Sequence, residues 1–298
     1  MRIPTQSVSE GITRQLAQLS ARQSKLQNQV ATGQRIFQPE DDPAAIGRVL
    51  TLQSERSQVQ QFARNADRAL QISQSSFAGL QTVKKISDRA GEIATLGQSA
   101  VNVDSFRAYG AEIEQLVEQG LQQVNTKLGN DFLFGGTAVD SAPFTATRDS
   151  NGKVTGITYN GTAAAAAIQI SENSTISPGN SGATNQNLAD FLNNLVALRD
   201  ALQSGNSASV ASTRGPLDVS ENKLVETMGE RGAIQLRIEV ARDQLTVRYQ
   251  DSEKLISAEA DADLAETIVK LNQTQTAYQA ALQSAASIMK ISLLDYLR

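Results

Sequence analysis

The chain contains no cysteine, no histidine and no tryptophan. Without cysteine there is no disulfide, and without cysteine or histidine neither a thiolate nor an imidazole metal site can be built. Ser-His-Asp and Cys-His catalysis are excluded by the same inventory. Aromatic residues make up only 4% of the chain, few for an enzyme with an apolar substrate pocket. No run approaches the ~18 apolar residues of a membrane span. The opening Met1-Arg2-Ile3-Pro4-Thr5 has no apolar core behind its positive residue, so no cleaved secretory signal is expected. A net charge of −4 gives no large field of one sign, and hence no electrostatic footprint for nucleic acid or membrane.

What is present is material for long helices. Ala, Gln, Ser and Leu dominate the 298 residues, a length that allows about two domains. From Asp263 to Arg298 no proline or glycine occurs. Leu264, Ile268, Leu271, Tyr278, Leu282, Ala285 and Met289 follow alternating steps of four and three, Gln275 fills the one polar slot, and Leu293 extends the row. Such a heptad seam predicts a helix that lies along another helix. At 1.5 Å per residue it reaches roughly 50 Å. The N-terminal stretch repeats the pattern with Ile12, Leu16, Leu19, Leu26 and Val30, Gln23 taking the polar slot. Stripes this narrow cannot bury themselves. The two ends are therefore expected to pair, and to order fully only within a larger assembly.

Between the ends the pattern is helix, β, helix. Residues 1–42 form the first helix and a linker. Gly33 is placed to stop the helix in a left-handed conformation, and Asp42 with Pro43 to cap and open the next. Adjacent Asp41 and Asp42 also suggest a divalent-metal site, a weaker reading than the cap. Residues 43–134 read as bundle helices, the first running to about Ser99 and the second from Asp104 to Gly129. Residues 135–185 read as a small antiparallel β domain. Asn151-Gly152 and Asn160-Gly161 form its two hairpin turns, and Thr155, Ile157 and Tyr159 share one face. Helix resumes at Leu188, breaks over 204–215 and continues, so that 186–256 complete the bundle and 257–298 form the last helix. The fold class is mainly α: a long antiparallel bundle or coiled coil of N- and C-terminal halves with a small inserted β domain.

Several short segments resemble one family. Met1-Arg2-Ile3, Ala31-Thr32-Gly33-Gln34-Arg35-Ile36, Asp41-Asp42-Pro43-Ala44, Phe132-Leu133-Phe134-Gly135-Gly136-Thr137 and Ser292-Leu293-Leu294-Asp295-Tyr296-Leu297 together resemble the bacterial flagellin superfamily, and within it the hook–filament junction branch. The resemblance implies a secreted structural subunit of the flagellum, exported unfolded through the type III route. It implies no enzyme activity and no cofactor. Its implied partners are copies of itself in a ring, the preceding hook-associated protein, flagellin, and a cytoplasmic export chaperone at the C-terminal helix. Filament flagellin itself is the alternative.

Overall fold

A computed structural model describes the backbone of residues 5–296 and the side-chain environments of residues 10–287. Met1-Arg2-Ile3, Leu297 and the side chains of Met289 and Leu293 lie outside the described residues. Six helices are present: α1 (Thr5–Thr32), α2 (Pro43–Gln98), α3 (Val103–Val124), α4 (Gly182–Gln203), α5 (Ser207–Ala260) and α6 (Leu264–Tyr296). Between α3 and α4 lie six short strands: β1 (Lys127–Leu128), β2 (Asp131–Phe132), β3 (Phe144–Arg148), β4 (Val154–Tyr159), β5 (Ile168–Ser171) and β6 (Ser174–Ile176). The chain divides into two compact units. One is built from residues 1–58 and 248–298, the other from 59–247.

The second unit is a four-helix bundle with the strands attached. Along α2 the buried positions Val59, Phe62, Ala66, Ala69, Ser73, Ser76, Leu80, Val83, Ser87 and Ala90 alternate by three and four, the seam of a helix packed lengthwise. Neighbouring helices are antiparallel: Gly110 of α3 lies by Gln203 and Gly120 by Leu192 of α4, and Thr95 of α2 accepts from Arg214 while Lys84 meets Glu221 of α5. Arg89 of α2 meets Glu112 of α3 at 2.6 Å, Glu114 of α3 meets Arg199 of α4 at 2.7 Å, and Lys84 of α2 meets Glu221 of α5 at 3.0 Å. One hydrophobic core runs through all four helices, from Leu80, Ile86 and Ile93 through Ile113 and Val117 to Leu192, Leu195, Leu217 and Leu224. It extends under the strands to Phe134, Phe144, Val154 and Ile157.

Helix ends follow local chemistry. The Asn102 side chain accepts from the Asp104 amide at the start of α3, and the Ser181 side chain accepts from the Thr184 amide at the start of α4. Each satisfies a donor that the first turn would leave open. Because Ser181 caps, α4 begins at Gly182, six residues before the apolar pattern becomes visible at Leu188. The break before α5 is likewise confined to residues 204–206, with Pro216 accommodated inside the helix.

The β region differs from expectation in its pairing. It consists of three separate two-stranded antiparallel ladders, β1–β2, β3–β4 and β5–β6, and its first strand starts at Lys127, inside the stretch expected to be helical to Gly129. Asn151-Gly152 does turn β3 into β4. Asn160-Gly161 does not form a hairpin, because β4 is already paired with β3 along its length. Instead the Asn160 amide donates to Pro143 and the Tyr159 hydroxyl donates to the Thr162 carbonyl at 3.0 Å. A register shift at Thr147/Arg148 changes the buried face of β4. Val154 and Ile157 are buried and Thr155 is exposed, so Thr155, Ile157 and Tyr159 do not share the covered side.

Two glycines show how tightly α3 sits on α4. A Cβ at Gly120 would come within 2.5 Å of a Leu192 methyl, whereas a Cβ at Gly91 of α2 meets nothing within 4 Å. Gly120→Ala is expected to destabilise the bundle by about 1–3 kcal/mol through overpacking. Gly91→Ala is expected to stabilise it by up to about 1 kcal/mol through helix propensity. Denaturant unfolding of both variants checks the opposite signs.

Candidate assembly interface

The first unit contains both terminal helices, and they pack on each other. Their direction is fixed where they join the rest of the chain. The Arg35 amide donates to the Ala260 carbonyl at 2.7 Å and the Ala262 amide donates to the Gly33 carbonyl at 2.8 Å. Gln34 and Asp261 thereby form an antiparallel bridge. The C-terminal end of α1 thus lies beside the N-terminal end of α6, and the two helices run antiparallel.

On α1 the covered positions are those of the sequence seam. Leu26 is buried, and Ile12, Leu16, Leu19, Gln23 and Val30 are half-buried amid otherwise mostly exposed residues. On α6 the covered stripe is Thr267, Leu271, Thr274, Tyr278, Ala281 and Ala285, again with steps of four and three, and Gln275 of the sequence seam is half-buried beside it. It shares Leu271, Tyr278 and Ala285 with the aliphatic seam but is rotated from it by about 60°. The Thr267 and Thr274 hydroxyls donate to the carbonyls of Asp263 at 2.7 Å and Lys270 at 2.8 Å. With their polar groups satisfied internally, the threonines behave as small apolar residues. The covered stripe of α6 thus mixes small residues with Leu271, Gln275 and Tyr278. The consequence lies on the other flank: Leu264, Ile268 and Leu282 stay 47%, 44% and 44% exposed, with Val269 beside them.

The connectors are held by a charged clamp. Gly33 ends α1 at φ +72°, a conformation that suits glycine. The Asp41 carboxylate accepts from the Lys25 ammonium at 2.7 Å and from the amides of Phe37 at 3.0 Å and Gln38 at 3.1 Å. The Lys25 bond first, then the two amides, lower its pKa from 3.8 to about 2. Asp42 caps α2 by accepting from the Ala45 amide at 3.0 Å, with Pro43 as the first helical residue. That bond, with a smaller contribution from Arg35, lowers its pKa as well. Arg48 grips Glu259 with two bonds of 3.0 and 2.9 Å, which lowers the Glu259 pKa. Arg35 donates to the Glu259 carbonyl at 2.7 Å, and Gln29 donates to the Arg35 carbonyl at 2.8 Å.

Asp41 and Asp42 thus use their oxygens on amides and cations. Among the described residues no group of three or more acids could hold a metal ion, and no helix is long and apolar enough to cross a membrane. Of the clamp, sequence reasoning located Asp42 and Pro43 and missed Lys25, Arg48 and Glu259. Arg35 was visible only within the Ala31–Ile36 segment. Glu259 lies more than 200 residues from its partners and carries no local signal.

The description "Bacterial flagellin N-terminal helical region" matches residues 3–138. The chain is 24% identical over 316 aligned positions to flagellar hook-associated protein 3 of Escherichia coli, covering 98% of each. It is 27% identical to flagellar hook-associated protein 3 of Salmonella typhimurium over 48% of this chain and 46% of that protein. The alignment with the Salmonella protein therefore spans less than half of its length. The crystal structure of Bacillus cereus FlgL superposes with a TM-score of 0.60 at 18% identity, covering 70% of this chain and 99% of that one, which shows a shared fold. Both of these relatives carry the name flagellar hook-associated protein 3, and neither is named a filament flagellin.

The clamp carboxylates have depressed pKa values when folded, so their contribution is full above the ordinary carboxylate range and is lost as pH falls through the folded values. For Asp41 that window runs from about pH 4 down to about 2. Hydrogen exchange at the Phe37 and Gln38 amides, corrected for intrinsic rates, is expected to lose protection across this window. In Asp41→Asn the protection should be low throughout and no longer respond to pH there.

Proposed function

We propose, for a chain that carries the flagellin N-terminal helical region and is homologous to flagellar hook-associated protein 3, that it is the structural subunit joining the flagellar hook to the filament. Residues 1–42 and 257–298 form its assembly core. Residues 43–134 and 186–256 form the bundle, and 135–185 the β domain. Copies form a ring, with the preceding hook-associated protein on one side and flagellin on the other. A cytoplasmic export chaperone binds the C-terminal helix before assembly, and the subunit works outside the cell without catalysing a reaction.

One observation carries this reading. Pairing within the chain consumes the aliphatic stripe of α1 but leaves that of α6 open at Leu264, Ile268 and Leu282. A long helix that is covered on one flank and aliphatic on the next is built to receive a further helix. These three side chains are already about half covered, so burying the rest contributes roughly 1 kcal/mol each, repeated at every subunit contact. The seam residues Ile12, Leu16, Leu19, Leu26, Val30, Leu271, Tyr278 and Ala285 hold the pair together; Met289 and Leu293 continue the row in the sequence alone.

The test separates folding from assembly. Ile268→Asp and Leu282→Asp alter exposed positions and are expected to leave the subunit folded, as read by circular dichroism. Incorporation onto hooks should fall by roughly ten-fold or more, the scale of a lost interface anchor. Deletion of Leu264–Arg298 should abolish it. Normal filament growth from the deleted subunit would refute the proposal.

A further inference from the structure

The largest cavity described is not at the terminal helices. It is a cleft of about 760 Å³ in the bundle unit, between α2 and the strand region. Its apolar lining includes Ile72, Phe132, Leu133, Val139 and Ile168, and Leu128 stands at its wall. Four charged groups sit on it. Arg68 and Asp131 pair with each other at 3.3 Å. Arg64 donates only to the Gln61 amide oxygen, at 2.6 Å, and Asp67 takes part in no ion pair. Among the described residues neither Arg64 nor Asp67 pairs with another element, so the cleft offers an apolar hollow beside one cation and one anion a helical turn apart on α2.

The same unit carries the complementary shape. The turn from α2 to α3 projects Val101, 98% exposed, and Val103, 61% exposed. A valine so fully in water at a turn gains nothing within the chain. Just beyond it, Asp104 and Arg107 are exposed, and neither takes part in an ion pair. They too lie three residues apart on a helix, in the opposite order of sign to Arg64 and Asp67. The tip cannot reach the cleft of its own chain: Ile72 and Val101 are separated by nearly the whole remainder of α2, roughly 40 Å at 1.5 Å per residue.

We propose that the α2–α3 turn of one copy docks in this cleft of a second copy, with Val101 and Val103 in the hollow, Asp104 against Arg64 and Arg107 against Asp67. The proposal rests on the self-assembly read above and names a second contact for it. Shape and charge agree on the occupant: each chain presents a knob and a hole that it cannot join itself. A contact between unlike surfaces of identical copies propagates from subunit to subunit, closing a ring or extending a row. The rim pairs set orientation and exclude wrong partners more than they add affinity.

The natural absence of cysteine makes the test clean. Val101→Cys and Leu128→Cys are made in separate full-length chains, mixed and oxidised. Both positions are exposed, so folding is not at issue. The mixed disulfide should form roughly ten-fold faster than that between Val101→Cys and Val240→Cys, a position on the exposed side of α5. Adding D104R and R107D to the Val101→Cys chain should remove that advantage. Adding R64D and D67R to its partner should restore it, an outcome that general loosening cannot produce. Equal rates with the two partners, or cross-linking of Leu128→Cys to a different flagellar protein but never to Val101→Cys, would overturn the proposal. If the cross-link fails while the α6 variants still block hook incorporation, only this docking falls. If it forms while those variants assemble normally, the junction reading falls and the docking stands.

Discussion

Two backbone hydrogen bonds govern the terminal unit: Arg35 to Ala260 and Ala262 to Gly33. They fix the direction of α1 against α6 and set where one begins along the other. From that register follows which residues of α6 lie under the leucines of α1. The covered ones are Thr267, Leu271, Thr274, Tyr278 and Ala285, while Leu264, Ile268 and Leu282 stay exposed. The ion pairs around the bridge are secondary. Most involve groups that are substantially exposed, and exposed pairs contribute about 0–1 kcal/mol each. What they add is direction: Arg35, Arg48 and Asp42 all converge where Glu259 ends α5.

Much of the helical architecture was legible because its determinants are local. Gly33 stops α1, Pro43 opens α2, and alternating steps of three and four mark the buried face of α2 even where that face turns from phenylalanine to alanine and serine. The failures have physical causes. Asn160-Gly161 has the composition of a hairpin turn, but the preceding strand had already found its partner in β3, and a turn motif cannot report that. The start of α4 was missed because a polar first turn capped by Ser181 carries no apolar period. The stretch at 204–215 looked like a loop, yet three residues suffice to turn the chain, after which packing of Val210 and Leu217 into the core overrides weak propensity.

The aliphatic rows of α1 and α6 were legible, but not which flank of α6 is covered. Periodicity identified an aliphatic seam on α6 and one on α1, and pairing them with each other was the natural inference. In the structure the covered flank of α6 takes in Thr267 and Thr274, while Leu264, Ile268 and Leu282 stay exposed. Internal bonding of the Thr267 and Thr274 hydroxyls removes the penalty that would otherwise bar threonine from a covered stripe.

The two units also differ in how the chain passes through them. The bundle is one uninterrupted stretch, 59–247, whereas the terminal unit is assembled from both extremities. Its defining bonds join positions separated by well over two hundred residues. A chain delivered from its N-terminus can therefore complete the bundle while its last fifty residues are still to come. It cannot close the bridge at Gly33 until nearly the whole polypeptide is present, so closure entropy for so long a loop falls late in folding. The connectivity makes maturation ordered in time: the body first, the paired ends last.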